Sequence, residues 1–305
     1  MGPRSSTRNL ANGKRCFRSR TKQSAEEIIF KKFICLQFSQ LDQMERFALK
    51  DGNSIPALGL GTWQLTGEIC VRVVRRALEL GYVHIDTAEI YGNQREIGRA
   101  IKGFPRSELS LTSKVWTNHL WYEEVLEACD RTLEELGTDY IDLYLIHWPN
   151  DEVPLKETLK AMRKLKEEGK VRSVGVSNFD VGHLEEALVV EERLVVVNQI
   201  EFHPYLYPKE VHEFCKRRGI VVTAYSPLGR GRVLQDEKIR RIARKLGRTP
   251  AQICLRWAIQ KGAVVIPKAS SAEHLKENLE VFGWELSEED MADLDSLNKG
   301  PGIPS

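Results

Sequence analysis

Short apolar runs recur along this chain, and each stops at a polar or aromatic side chain. The sharpest is Tyr82-Val-His-Ile-Asp86, which ends in a carboxylate; Tyr91 follows beside Gly92-Asn93. An apolar run of this length suits a buried strand, and Gly-Asn suits a turn. Comparable runs end at Thr62, Lys114, His147, Ser177-Asn178, Gln199, Tyr225 and Lys268. From Asp86 onward the steps between these ends are 28, 33, 30, 22, 26 and 43 residues. Steps of this size hold a strand and a helix, and amphipathic segments such as 155–166 and 211–218 occupy the gaps. The long last step leaves room for an extra helix, which Thr249-Pro250 opens as an N-cap followed by a first-turn proline.

Other signals frame this series. The apolar positions at 47–50 and 55–58 flank Asp51-Gly52, the signature of a hairpin. Val71, Val74, Ala77 and Leu78 share one helical face, closed by Gly81. Two more helices are expected near the end: one over 274–282, and one behind Ser287-Glu-Glu-Asp290, read as a capping box. Eight strand-type runs in roughly 250 residues predict an α/β (β/α)8 TIM barrel, with an N-terminal hairpin and extra C-terminal helices. In that fold the strand-end residues converge at one rim. A doubly wound sheet would want Gly-x-Gly-x-x-Gly after its first strand; Gly59-Leu-Gly61 starts one, but Gln64 breaks it.

Composition narrows the picture. Hydrophobic residues make up 42% of the 305, enough for a large core, yet no apolar run approaches membrane-spanning length. A net charge of +2 gives no reason to expect nucleic-acid or membrane partners. The six cysteines are scattered without a C-x-x-C pair, and read as reduced, mostly buried residues of a cytoplasmic protein. The first 43 residues differ, with nine Lys+Arg against three Asp+Glu. They lack the apolar core of a secretory signal. They read as a flexible extension or a start upstream of the true one at Met44, with a transit peptide as the alternative, and the barrel is expected over 44–305.

The strand ends carry chemistry. Asp86, Lys114 and His147 would meet at one rim with Tyr91. A phenol is a poor acid near neutrality, and an adjacent ammonium is expected to lower its pKa. A carboxylate beyond the lysine keeps it charged, and an imidazole can orient a carbonyl. The set makes a general acid for an oxygen gaining negative charge. No His-x-His stands at an early strand, so no metal is expected. His84, His203 and His212 read as structural.

From Met44 onward the chain resembles the aldo-keto reductases. The resemblance rests on Gly59-Leu-Gly-Thr-Trp63, His84-Ile-Asp-Thr-Ala88, Tyr91-Gly-Asn93, Ser113-Lys114, Leu145-Ile-His-Trp-Pro149, Gly175-Val-Ser-Asn-Phe179, Asn198-Gln-Ile-Glu-Phe-His-Pro204, Tyr225-Ser-Pro-Leu228 and Ile266-Pro-Lys268. It is most similar to the microbial branch with 2,5-diketo-gluconate and methylglyoxal reductases. The resemblance implies reduction of aldehydes and ketones by NADPH, with NADH also used. It makes Tyr91 the general acid, supported by Asp86, Lys114 and His147. Ser177, Asn178 and Gln199 would hold the nicotinamide carboxamide, with Tyr225 stacked beneath the ring. Ser226 and Leu228 would follow the pyrophosphate. Lys268 and Ser270 would reach the 2′-phosphate, with His274 at its edge, and Glu277 and Asn278 the adenine. Trp63, Trp116 and Trp148 would wall the substrate pocket, although Trp116 and Trp148 could also be core aromatics. The expected partner is a small carbonyl substrate, and the expected assembly a monomer or weak dimer.

Three departures from the family pattern stand out. Gln94 replaces a frequent glutamate, which is expected to change little. His274 replaces a frequent arginine and Ala269 a frequent serine, which implies weaker NADP selectivity. The brief loop after Tyr225 and the seven residues after Asn298 imply an open pocket with broad carbonyl specificity. A non-catalytic barrel that senses cofactor as a regulatory subunit is the alternative, since fold alone does not separate the two.

Overall fold

The computed structural model describes Gly2 and residues 45–300. Apart from Gly2, the basic segment 1–43 lies outside the described residues, as do Met44, Pro301 and Pro304. Eight parallel strands form the sheet: β3 (Leu60–Gly61), β4 (His84–Asp86), β5 (Ser110–Val115), β6 (Ile141–Ile146), β7 (Val171–Ser177), β8 (Val195–Glu201), β9 (Val221–Tyr225) and β10 (Ala263–Val265). They pair in strict sequence order. The sheet closes where Leu58 bridges Val265: Gly59 N–H donates to the Val265 carbonyl at 2.8 Å and Gly61 N–H to Pro267 at 3.2 Å. This is the (β/α)8 barrel.

The seam explains Gly59-Leu-Gly61. A Cβ at Gly61 would lie 2.6 Å from the Ile266 carbonyl oxygen, and one at Gly59 would lie 2.5 Å from the His84 ring. Gly61 lets backbone approach backbone at closure, and Gly59 makes room for the His84 ring. They belong to no phosphate loop.

Ten α-helices are described: α1 (Gly67–Glu79), α2 (Gln94–Ile101), α3 (Tyr122–Leu136), α4 (Leu155–Glu167), α5 (Val181–Val190), α6 (Lys209–Arg217), α7 (Glu237–Leu246), α8 (Pro250–Gln260), α9 (Ala272–Leu279) and α10 (Glu288–Asp295). The long step between Tyr225 and Lys268 holds α7 and α8, and Thr249 caps α8 in a box with Gln252. On α1 the buried face is Cys70, Val73, Val74, Ala77 and Leu78; Val71, expected on it, sits at its edge. Helix α9 starts two residues before His274, capped by Ser271, and ends at Leu279. The box expected at Ser287 is half made. Ser287 Oγ accepts from Asp290 N–H, but the Asp290 carboxylate accepts from the Ser287 hydroxyl and from Lys245. Aspartate is one methylene shorter than the glutamate that reaches back to the N-cap.

The hairpin of β1 (Arg46–Ala48) and β2 (Ser54–Pro56) crosses the N-terminal mouth of the barrel. Leu49 and Ile55 pack onto the interior residues Leu143, Leu145, Val196, Val197, Val264 and Ile266. Asn53 donates to Arg172 O and Ser173 Oγ, and Asp51 accepts from Lys166 and Ser173. The larger core lies between the strands and the helices. With the lower mouth plugged, the opposite rim is left for chemistry.

Candidate active site

At the C-terminal rim a cavity of about 800 Å³ opens, lined by Asp86, Tyr91, His147, Ser177, Asn178, Gln199 and Tyr225 among others. Asp86 closes β4, and Lys114 sits one residue from the end of β5. Both are buried, with Lys114 Nζ 2.6 Å from Asp86 Oδ1 and 2.8 Å from the Thr87 carbonyl. Gln199 Nε2 donates to the other Asp86 oxygen at 2.8 Å. Burial pushes the Asp86 carboxyl up, while Lys114 and Gln199 pull it back. Burial alone would lower Lys114, but Asp86 and Tyr91 outweigh it and hold its ammonium above the ordinary value. The site thus contains a fixed, dry ammonium paired to a carboxylate.

Tyr91 stands on a 3₁₀ turn, Glu89–Tyr91, that ends at a left-handed Gly92. Its ring centroid is 5.1 Å from Lys114 Nζ and 5.7 Å from the His147 ring, which meets it edge-on. The ammonium was expected to lower the phenol's pKa. Burial instead pushes it above the ordinary value, and Lys114 offsets that only in part because Asp86 shares its charge. The phenol therefore keeps its proton at neutral pH.

His147 follows β6 and packs edge-on against Trp116, with ring centroids 5.1 Å apart. Burial, then the Lys114 charge, push its pKa down to about 3, so the imidazole is neutral. Its Nδ1 is buried without a partner among the described residues.

The amide-bearing residues form one chain. Tyr225 donates its hydroxyl proton to Asn178 Oδ1 at 2.9 Å, and Asn178 Nδ2 donates to the His147 carbonyl and to Ser177 Oγ, each at 3.0 Å. Ser177 donates to the Gln199 carbonyl at 2.9 Å. Gln199 keeps one side-chain N–H and its side-chain oxygen for a ligand.

The turn behind Tyr91 is stapled to its surroundings. Asn93, fully buried, accepts from Thr87 Oγ1 at 2.6 Å and donates to the Thr62 and Leu65 carbonyls at 3.0 and 2.9 Å. The Glu89 carboxylate accepts from Trp116 N–H at 2.9 Å. Gln94 is more committed than expected. Its amide donates to Glu135 at 3.0 Å and its oxygen accepts from Ser113 Oγ at 2.6 Å, all but closed to solvent. A glutamate there would face a carboxylate in a buried setting.

Backbone geometry adds what side-chain types did not signal. Among the described residues the non-glycine positions at positive φ are Gln64, Asn178, Ser226 and Arg230. All four line this cavity. Left-handed backbone at a residue with a Cβ costs about 1–2 kcal/mol and gathers at functional sites. Asn178 and Ser226 were among the expected site residues; Gln64 and Arg230 were not. Lys268 donates to Gln64 Oε1 at 3.1 Å, and the Arg230 guanidinium lies 5.5 Å from the Trp63 ring centroid.

Trp63, Trp116 and Trp148 all line the cavity, as do Leu228 and Lys268. Trp116 and Trp148 are therefore pocket walls. Ser270, His274, Glu277 and Asn278 lie apart from its lining, on and just before α9. His274 and Ser270 are exposed, Asn278 is buried, and the Glu277 carboxylate accepts from the Thr249 hydroxyl. His84, His203 and His212 are buried and bonded within the fold, to Thr112, Leu206 and Tyr207 respectively. Among the described residues no group of three metal-ligating side chains exists, and no helix is long and apolar enough to cross a membrane.

The chain is similar to known proteins. The chain is 46% identical over 260 residues to an aldo-keto reductase of Mycolicibacterium smegmatis, covering 84% of this chain and 94% of that protein. It is 45% identical to a glyoxal reductase of Bacillus subtilis, covering 82% and 92%. The solved structure of a putative 2,5-diketo-D-gluconic acid reductase B superposes with a TM-score of 0.83 at 37% identity, over 87% of this chain and 96% of that one. The family model for aldo/keto reductases matches residues 57–299. With its barrel, its rim cavity and these relatives, the chain belongs to the aldo/keto reductase family of oxidoreductases.

Proposed function

We propose that this protein reduces aldehydes and ketones to alcohols with NADPH, Tyr91 giving the proton. The observation that carries the reading is one cavity lined by both halves of the chemistry: Tyr91, Asp86 and His147 beside Ser177, Asn178, Gln199 and Tyr225. The donor set fits a nicotinamide dinucleotide. A carboxamide needs a donor and an acceptor, which Gln199 retains within the Ser177–Asn178 network. Tyr225 offers a ring face, and Lys268 offers positive charge to phosphates. The cofactor supplies the hydride.

The chain's own residues handle the oxygen. The neutral His147 imidazole hydrogen-bonds and orients the carbonyl. Tyr91 donates its proton as negative charge develops there. The Lys114 ammonium, held by Asp86, stabilises the phenolate left behind. Because these charges are fixed before reaction, little reorganisation is needed. Trp63, Trp116 and Trp148 wall the substrate. Ser226 and Leu228 follow the pyrophosphate. Lys268 and Ser270, with His274 beside them, take the 2′-phosphate, and Glu277 and Asn278 the adenine. The reading includes use of NADH and a monomer or weak dimer in the cytoplasm.

The test is NADPH oxidation over a panel of aldehydes, with Tyr91→Phe beside the wild type. Turnover should fall about 100- to 10,000-fold in the variant. Its NADPH dissociation constant should stay within about twofold of the wild type's, since the phenol acts on the carbonyl. Near-wild-type turnover in Tyr91→Phe removes the tyrosine from its role.

A further inference from the structure

The cavity carries a charge that the chemistry above does not use. Asp86 and Lys114 neutralise one another inside the wall, and Lys268 is tethered to Gln64. Arg230 has neither a hydrogen bond nor an ion pair among the described residues; its contact is the face of Trp63. The Glu201 carboxylate exerts a field on it with no ion pair between them, and pairs instead with His203 at 3.4 Å. The Arg230 backbone is left-handed, at φ 54° and ψ 34°, and Gly231 continues the bend at φ 87°. A strained, unpaired guanidinium braced against an aromatic wall is a preformed seat for an oxyanion. Arginine presents a planar fork of donors that matches a carboxylate, and stacking holds the fork in place.

We infer that Arg230 makes this site selective for carbonyl substrates bearing a carboxylate, such as oxo acids and carboxylated aldehydes. This rests on the carbonyl-reductase reading. Trp63 carries the geometric argument: the ring that stacks on Arg230 also walls the cavity entered by Tyr91. The apolar rim, with Trp63, Trp148 and Ile90 all well exposed, accepts the carbon skeleton between carbonyl and carboxylate. The same oxyanion chemistry could come from the cofactor's diphosphate, and the experiment separates the two sources.

The test compares para-carboxybenzaldehyde with para-tolualdehyde, which share a shape and differ in charge. The readouts are the ratio of their kcat/KM values and, separately, the NADPH dissociation constant from quenching of tryptophan fluorescence. Wild type should favour the carboxylated aldehyde. Arg230→Gln should lower the ratio about tenfold or more, and Arg230→Lys should restore part of it. NADPH affinity should move less than about threefold. An unchanged ratio in Arg230→Gln overturns the inference. If the ratio holds while NADPH binding weakens, the oxyanion is the cofactor's diphosphate, and the substrate assignment is equally overturned. Should wild type reduce neither aldehyde, the functional reading fails, and terephthalate titrated onto the NADPH complex reads Arg230 directly. Binding about tenfold weaker in Arg230→Gln than in wild type supports the seat, and equal binding overturns it.

Discussion

At the scale of single residues, the site works by holding groups in the protonation states their tasks require. Burial and Lys114 leave His147 neutral, and burial leaves Tyr91 protonated. A neutral imidazole donates a hydrogen bond without repelling the ammonium beside it. These states predict the pH profile. With para-tolualdehyde, kcat/KM should stay flat from about pH 5.5 to pH 8.5, because neither group titrates within that range. His147→Asn should lower the rate by one to two orders of magnitude, on the order of the loss of one oriented donor, and leave the profile flat. A wild-type inflection near pH 6.5 that vanishes in His147→Asn would show an imidazole that titrates freely, against the burial argument.

At the scale of elements, the strands and their end residues were legible because each apolar run is buried on both sides and stops where the barrel meets the rim. Helices were less so. Helix α8 is buried along nearly its whole length, from Ala251 to Ile259, so it presents no polar stripe, and only its cap announced it. Helix α5 blurs its own pattern with a fully exposed Val189. Gln64 gave no signal of its positive φ, and Arg230 only an indirect one, since it stands between Gly229 and Gly231, both also at positive φ. Asn93 was visible only as half of a turn, yet it ties the ends of β3 and β4 to the element carrying Tyr91. Asn93→Ala removes three buried hydrogen bonds and leaves the Leu65 carbonyl and the Thr87 hydroxyl without their partner, while Thr62 O keeps Leu65 N–H; this should cost about 2–4 kcal/mol of unfolding free energy in urea. It should also reduce kcat/KM, because the Tyr91 turn loses its staple. A stability within about 0.5 kcal/mol of wild type would mean the network is not holding the rim.

For the whole molecule, one barrel combines a dry polar centre with an apolar shell, and that combination has a pH-dependent consequence. His84 lies within the barrel wall below the rim and His147 at the rim itself; burial, first of all, pushes each pKa from 6.5 to about 3. His212 is shifted in the same direction, also chiefly by burial. At His84 and His147 the unfolded chain binds a proton below about pH 6.5, whereas the folded chain binds none until about pH 3; His212 contributes in the same sense. Stability is therefore full above pH 6.5 and is lost progressively as pH falls toward 3. At pH 5 each of the first two imidazoles should account for about 2 kcal/mol of that loss. Urea unfolding at pH 7 and pH 5 measures the drop in wild type, and the same pair of measurements in His84→Gln and His147→Gln isolates each contribution. Both variants are expected to start less stable at pH 7, and what matters is the difference between the two pH values. That difference should shrink by about 2 kcal/mol in each variant, because the group that discriminates folded from unfolded chain has been removed. If the drop is the same in all three proteins, the imidazoles become charged in the folded barrel, and the carboxylates alone govern its acid stability.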